Sequence, residues 1–246
     1  PLGSWRPRPR LSWGSALAAN PTPPAIFWDM DGTMVDTEPL WGIATYELSE
    51  KLGRRITPTI RETTLGGTFA NTLKVCAEYA GVSVTDAEAA VLREEMYRRM
   101  EGLLSENLEP HPGLRGLLGA LRDEGVPMLV TTNTVRRLAD ISIAAVGEEF
   151  FSGSVAGDEV KSPKPAPDMY LKAAGIVGVE PGDCLVFEDS TSGMTAGAAA
   201  GCRVIGLPAA GQTPPAGVRV FGELFGAGGF SGLDVADVRA AYESFR

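Results

Sequence analysis

Four short polar clusters in this sequence each follow an apolar run, and their residue types suit one kind of chemistry. The first contains Asp29 and Asp31, which are separated by one residue and followed by Gly32. A carboxylate such as Asp29 can attack phosphorus and form an acyl-phosphate. A second acid two residues on can protonate the leaving alcohol and then take a proton from water, a role worth roughly 10²–10⁴-fold in rate. Gly32 allows a sharp turn and keeps bulk away from the reacting group.

The other three clusters supply further groups that phosphoryl transfer needs. They are the pair Thr132 and Asn133, the lysine Lys164 in a proline-rich segment, and the acidic pair Glu188 and Asp189. The Thr132 hydroxyl and the Asn133 backbone amide can donate hydrogen bonds to a phosphate oxygen. Lys164 supplies a positive charge that stabilises the nucleophile and the transferring phosphoryl group.

Three carboxylates, those of Asp29, Glu188 and Asp189, are expected to meet at one point, where they would repel one another without a cation. Mg²⁺ prefers oxygen ligands, and waters and a phosphate oxygen complete its coordination shell. The clusters therefore predict a magnesium site. For Glu188 two interpretations stay open, because it can bind the metal itself or hold a neighbouring group in position.

Alternating strands and helices must position these clusters. Short apolar runs at residues 25–28, 126–130, 153–156, 184–187 and 204–207 predict strands, and helical periodicity fills the segments after residue 112. This alternation is typical of an α/β fold with a Rossmann-like parallel sheet and helices on both faces. Ligands bind outside the carboxyl ends of the strands in such sheets, so we expect the four clusters to converge on one crevice.

Residues 37–111 have a different pattern and predict an inserted all-helical cap domain, because apolar residues recur there at helical spacing. The α/β catalytic core then comprises residues 25–36 and 112–246. Residues 1–24 begin with Pro-Leu-Gly-Ser, which we expect to be the remnant of a cleaved expression tag. They continue as an arginine-containing arm that we expect to be disordered.

Composition limits the classes of partner and site. The 246 residues carry 22 basic and 31 acidic side chains, a net charge of −9 that argues against nucleic acid or an anionic membrane as the main partner. No apolar run approaches the roughly 20 residues that cross a bilayer. Three separated cysteines without a CxxC pair favour a reducing, cytoplasmic location. The single histidine, His111, argues against Ser-His-Asp and multi-histidine metal sites. We expect a monomer or a weak homodimer.

The four clusters, taken in order, resemble the four motifs of the haloacid-dehalogenase superfamily. The resemblance runs from about residue 25 to residue 207. The inserted helices are similar to the helical-cap subfamily, which includes β-phosphoglucomutase and phosphoglycolate-type phosphatases. This resemblance implies a Mg²⁺-dependent enzyme with Asp29 as nucleophile and Asp31 as acid/base. It also implies that Asp29, the Asp31 carbonyl and Asp189 bind the metal.

Departures from the family's patterns favour one activity. Dehalogenases carry only the nucleophilic aspartate, so Asp31 argues against dehalogenation. β-Phosphoglucomutase has a histidine where Trp41 stands, and a phosphate-binding cap arginine where this chain has Phe69 and Ala70. We therefore expect a phosphatase for a small phosphorylated metabolite of the sugar or polyol phosphate type. A β-phosphoglucomutase-like mutase and a non-catalytic phosphate-binding module are the alternatives.

Two further segments, at the entry to the cap and near the C-terminus, contain residues whose role the sequence leaves open or assigns to a loop. Asp36 and Glu38, at the entry to the cap, are as consistent with helix capping and a hinge as with substrate contact. The glycine-rich segment at residues 225–232 lacks the strand–turn–helix context of a nucleotide loop, so we expect a surface connection there.

Overall fold

The fold is built on one parallel sheet. The computed structural model describes residues 22–245, apart from the side chain of Asn107, and the predicted tag remnant and arm lie outside them except for their last three residues. The strands are β1 (Ala25–Trp28), β2 (Met128–Thr131), β3 (Gly153–Val155), β4 (Cys184–Glu188), β5 (Arg203–Gly206) and β6 (Arg219–Val220). Their spatial order is β3-β2-β1-β4-β5-β6. The predicted fold class is confirmed.

Helices cover both faces of this sheet because successive side chains of a strand point to opposite sides. Ile26 and Trp28 belong to one buried cluster, while Ala25 and Phe27 belong to another. The core helices are α5 (Leu114–Asp123), α6 (Arg136–Val146), α7 (Asp168–Val177), α8 (Thr191–Ala199), α9 (Phe221–Phe225) and α10 (Val235–Glu243). The first cluster draws on α5, α6 and α10, and the second on α7 and α8.

Strand β1 lies at the point where the strand order reverses. It pairs with β2 on one side and with β4 on the other. The chain therefore moves outward to β2 and β3 in one direction, and then to β4, β5 and β6 in the other. Such a switch point opens a crevice at the carboxyl ends of the strands. Asp29, Thr132 and Asp189 follow directly after β1, β2 and β4.

A helical unit lies between β1 and α5. Its helices are α1 (Glu38–Lys51), α2 (Pro58–Glu62), α3 (Phe69–Ala80) and α4 (Asp86–Asn107). They form their own apolar cluster, in which Met100 is fully buried, and Leu138 of α6 packs into it. The two segments that connect this unit to the sheet domain lie side by side, because Val35 in the first and Pro110 in the second form an antiparallel bridge. We call this unit the cap. Within residues 22–245, no helix has the length and apolar character of a membrane span.

The C-terminal region departs from the sequence prediction. Phe230, inside the segment expected to be a surface connection, is 2% exposed. Its ring packs edge-on against those of Trp28 and Phe187, with centroids 5.9 and 6.4 Å away. The prediction of a surface connection is therefore wrong at Phe230, because burying a large aromatic side chain outweighs the flexibility of the surrounding glycines.

Candidate active site

The four polar clusters meet beneath the cap. They line a cavity of about 890 Å³ that core and cap residues enclose together. We call its core side the floor, which includes Asp29, Asp31, Lys164 and Asp189. Its cap side is the roof, formed by residues of α1 to α4 and the loops between them. The structure thus brings together residues that lie up to 160 positions apart in the sequence.

Lys164 is the centre of the floor. Its ammonium group donates hydrogen bonds to Asp29 Oδ1 over 2.8 Å and to the Thr131 carbonyl over 2.9 Å, and it also contacts Glu188 Oε1. Thr33 donates to the other oxygen of Asp29 over 2.9 Å. Both oxygens of the predicted nucleophile are therefore held in place by side chains of the chain itself.

Glu188 is held on both carboxylate oxygens. Besides Lys164, the Tyr170 hydroxyl donates to Oε1 over 3.0 Å. The Ser190 amide and hydroxyl donate to Oε2 over 3.1 and 3.0 Å. A Cβ atom on Gly193 would overlap this carboxylate, so only glycine lets the start of α8 approach so closely. Glu188 is thus fixed as the anionic partner of Lys164.

Asp31 lies among three threonine hydroxyls. Thr37 donates to its Oδ1 over 2.6 Å, and Thr132 and Thr134 donate to its Oδ2 over 3.1 and 2.7 Å. Burial raises the pKa of Asp31 above its usual value, while the hydroxyl of Thr37 opposes that rise. A carboxyl group in this setting is suited to carry a proton and to give it up.

Thr132 and Asn133 line the cavity and are also hydrogen-bonded to other site residues. Asn133 Oδ1 accepts a hydrogen bond from the Lys164 amide over 2.9 Å, and its Nδ2 donates to the Lys164 carbonyl over 3.2 Å. The same Nδ2 donates to the Gly66 carbonyl of the cap over 3.3 Å. Asn133 therefore fixes the Lys164 backbone and also touches the roof. The predicted phosphate contacts of Thr132 and Asn133 stay predictions.

Gly32 occupies a position that favours glycine. Its φ is +91°, in the left-handed region, and a Cβ atom there would overlap the Asp189 carboxylate. The backbone of Gly32 can therefore lie directly beside Asp189. The ring of His111 is 3.3 Å from the Gly32 carbonyl, at the point where the chain returns from the cap.

The floor carries more negative charge than its one lysine balances. Burial, together with Glu188, raises the pKa of Asp29 to about 6 although Lys164 opposes it. Burial also raises the pKa of Asp189 to about 9, with Asp29 and Glu188 adding to the rise. Burial alone would lower the pKa of Lys164, but the carboxylates of Asp29 and Glu188 outweigh it and raise that pKa.

This excess of carboxylate fits a divalent metal ion. Asp29, Glu188 and Asp189 each offer one oxygen, and these atoms all lie within 4.8 Å of one another. An all-oxygen donor set suits a hard cation such as Mg²⁺ or Ca²⁺ rather than zinc. A cation there would offset the mutual repulsion of these carboxylates, which adds to the effect of burial in raising the pKa values of Asp29 and Asp189.

Several residues of the site had not been predicted. Thr33 donates to Asp29, and Thr37 and Thr134 donate to Asp31. The sequence signal for these threonines was that each lies within a few residues of a predicted site residue. Tyr170 had no such signal, because only the packing of α7 against the sheet brings its hydroxyl to Glu188. The buried roof residue Arg61 had none either.

Comparison with curated proteins gives relatives that are phosphatases by name. The chain is 34% identical to "Probable pseudouridine-5'-phosphatase" of Drosophila melanogaster over 188 residues, which cover 74% of this chain and 80% of that protein. It is 30% identical to "Phosphorylated carbohydrates phosphatase" of Thermotoga maritima over 185 residues, covering 74% and 84% of the two chains.

The solved structures show the same fold. The β-phosphoglucomutase of Clostridium difficile superposes with a TM-score of 0.77 at 20% identity, covering 90% of this chain and 97% of that one. In sequence, the family model described as haloacid dehalogenase-like hydrolase matches residues 23–201, which contain all four polar clusters. The chain belongs to the haloacid dehalogenase-like hydrolase family.

Proposed function

We propose that this protein is a Mg²⁺-dependent phosphatase that hydrolyses a small phosphorylated metabolite of the sugar or polyol phosphate type. The observation that carries the proposal is the pairing on the floor. Asp29 is oriented by Lys164 and Thr33, and it lies beside a second aspartate, Asp31, whose surroundings favour proton exchange. The names of the relatives support the substrate class.

In the first step, a carboxylate oxygen of Asp29 attacks phosphorus and the bond to the leaving oxygen breaks. Asp31 gives its proton to that oxygen, so a neutral alcohol leaves and an aspartyl-phosphate remains on Asp29. Lys164 stabilises the charge on the nucleophile before the attack and on the phosphoryl group during it. The Thr33 hydroxyl keeps the carboxylate of Asp29 from rotating.

In the second step, Asp31 takes a proton from a water molecule, whose oxygen attacks phosphorus. The bond to Asp29 breaks, which releases inorganic phosphate and restores both carboxyl groups. Asp29, Asp189, the Asp31 carbonyl and Glu188 are the groups proposed to hold Mg²⁺, which when bound neutralises the carboxylates and the phosphoryl oxygens. The cap excludes bulk water during both steps.

The proposal also covers the cellular location, the partners and the oligomeric state of the protein. Cys76, Cys184 and Cys202 are free thiols, which supports a cytoplasmic location. The acidic charge argues against nucleic acid or a membrane as the main partner, and it is compatible with a small phosphorylated partner because a bound divalent cation reverses the field locally. A monomer or weak homodimer stays a prediction.

The test is release of inorganic phosphate from a panel of sugar, polyol and nucleoside monophosphates, with Mg²⁺ and with excess chelator. We expect release from a few compounds with Mg²⁺ and none with chelator. Asp29→Asn removes the nucleophile and should lower turnover by at least roughly 10³-fold. Asp36→Asn is the matched control, because it makes the same change seven residues away at an exposed position that does not line the cavity.

The alternatives give different results in the same assay. A mutase would convert a sugar 1-phosphate to its 6-phosphate when a catalytic bisphosphate is added, with little phosphate released. A binding module would bind phosphorylated ligands without turnover. Normal activity of a folded Asp29→Asn variant would contradict the mechanism.

A further inference from the structure

The roof of the cavity contains a buried arginine that the catalytic steps do not use. Arg61, on the short helix α2, is 6% exposed and lines the same cavity as Asp29 and Lys164. Burying a guanidinium group away from water is costly unless its N–H donors are satisfied. The partners of Arg61 therefore indicate what this residue does.

Only part of the guanidinium is satisfied by the protein. Nη2 donates to Glu38 Oε1 over 2.6 Å, and Nη1 donates to the Thr64 hydroxyl over 2.7 Å. Nε is buried and has no hydrogen-bond partner among the described residues. A guanidinium offers five N–H donors in a planar fork, and two of them are used here, so Arg61, which lines the cavity, retains unused donors.

Glu38 supplies the complementary acceptor. Its side chain is 49% exposed, against 8% for Arg61, and it lines the same cavity. Burial raises the pKa of Glu38, and the charge of Arg61 opposes that rise. Together the two side chains form a roof pair that carries donors and acceptors but little net charge.

We propose that the Arg61–Glu38 pair binds hydroxyl groups of the leaving alcohol and so selects an uncharged polyhydroxylated leaving group. This inference rests on the proposed phosphatase function. A hydroxyl both donates and accepts, so one hydroxyl can donate to Glu38 while the next accepts from Arg61. A second phosphate at the same place would face the Glu38 carboxylate, which repels it.

The other cation at the roof does not alter this preference. Arg93 of α4 also lines the cavity, but its side chain is exposed, so water and salt screen its charge. Arg61, the buried member of the pair, is screened much less. Selection between hydroxyl and phosphate therefore depends on Arg61 and Glu38.

The test compares a substrate that has hydroxyl groups with one that has none. Hexitol 6-phosphate and phenyl phosphate are assayed with the wild-type chain and with Arg61→Met. Because hydrogen bonds to a charged group are lost, kcat/KM for hexitol 6-phosphate should fall roughly 10- to 100-fold. For phenyl phosphate it should change by less than about threefold, because that substrate makes no hydroxyl contacts.

A matched control separates this effect from a general loss of charge in the cap. Arg55 forms an exposed ion pair with Glu50, with side chains 56% and 51% exposed. Arg55→Met therefore removes an arginine–glutamate pair from the cap surface and should leave both substrates unchanged. Equal losses on both substrates with Arg61→Met, or no loss on either, would overturn the proposal.

A second variant keeps the test decisive if Arg61→Met does not fold. Glu38→Ala removes the half-exposed member of the pair, so hexitol 6-phosphate should again lose more than phenyl phosphate. It should also raise activity on a sugar bisphosphate relative to hexitol 6-phosphate, because the repelling carboxylate is gone. A wild-type enzyme that prefers the bisphosphate would overturn the assigned substrate class.

A binding measurement distinguishes failure of this inference from failure of the proposed function. Calorimetric titration of Asp29→Asn with hexitol 6-phosphate is compared with the same titration of the Asp29→Asn, Arg61→Met double variant. If the double variant binds hexitol 6-phosphate more weakly but binds inorganic phosphate equally well, the result supports the subsite. This conclusion holds whether or not the wild-type chain hydrolyses the substrate. Equal binding by both variants would contradict it.

Discussion

The floor and the roof of the cavity differ in how completely their charged groups are satisfied. On the floor, the side chains of Lys164 and Glu188 are 2% and 0% exposed, and both oxygens of Glu188 accept hydrogen bonds from the protein. On the roof, Arg61 is almost as buried, yet its Nε has no partner within residues 22–245 and its companion Glu38 is half exposed.

This difference separates the two tasks of the site. The carboxylates and lysine of the floor are positioned by one another, so the same reacting geometry is available to any phosphate ester. On the roof, Arg61 and Glu38 line the cavity with hydrogen-bonding capacity that the protein does not fully use, and we propose that this pair discriminates between leaving groups. Damage to the floor should reduce activity on every substrate alike, whereas damage to the roof should depend on the substrate.

Removal of the floor's lysine should give the largest effect of the three changes considered next. Lys164→Met leaves Asp29 and Glu188 as buried carboxylates without their cation. Breaking a buried ion pair in this way costs about 3–5 kcal/mol of unfolding free energy. Loss of the charge that stabilises the phosphoryl group should lower turnover by roughly 10²–10³-fold for every substrate. Urea unfolding and phosphate release measure the two effects.

The control is Lys161→Met, which makes the same change at an exposed lysine three residues earlier. It should leave both stability and turnover unaltered. If the Lys164→Met variant lost activity on one substrate and kept it on another, the floor would take part in selection, and the division between floor and roof would be wrong.

A smaller change on the floor tests whether its hydrogen bonds act together. Tyr170→Phe removes one donor to Glu188 but keeps the ring that lies 5.3 Å from the Lys164 ammonium. A lost hydrogen bond to a buried charged group should cost about 1–3 kcal/mol of unfolding free energy. Because Glu188 positions Lys164, kcat should fall by about tenfold with little change in KM.

Tyr46→Phe, in the cap, serves as the reference for the loss of a tyrosine hydroxyl. It should have no effect on kcat. A Tyr170→Phe variant that is less stable but has unchanged kcat would show that the hydroxyl supports folding only. In that case Lys164 would be positioned without help from α7.

The difference between the floor and the roof also explains which site residues could be predicted from the sequence. Asp29, Thr132, Lys164 and Asp189 were predictable because parallel strands end at one edge of the sheet, so polar residues after those ends must converge. No packing detail was needed. Tyr170 was not predictable, because its contact with Glu188 depends on how α7 packs against the sheet.

The roof was less predictable for the same physical reason. Arg61 lies on a helix of only five residues, which no periodicity marks, and its contact with Glu38 of α1 depends on tertiary structure that spacing does not reveal. The C-terminal region does contain a local signal, because Asp234 and Asp237 form a capping box at the start of α10.

The weakest of the three effects is expected where the cap meets the core. Arg137 of α6 donates to Glu94 and Glu101 of α4, each over 2.8 Å, beside the apolar contact of Leu138 with the cap. These side chains are more than one-third exposed, so salt screens the pairs. Arg137→Met should therefore raise KM by no more than about threefold, and only at low ionic strength, with kcat unchanged.

Measurement of KM at low and high KCl tests this expectation. Arg98→Met is the control, because Arg98 pairs with Glu94 within α4 and does not cross to the core. The two variants should differ at low salt and coincide at high salt. A salt-independent rise in KM for Arg137→Met would instead mean that its side chain acts through apolar packing beside Leu138. Buried contacts would then hold the cap against the core, as they hold the floor together. The difference between floor and roof would in that case concern only the choice of substrate.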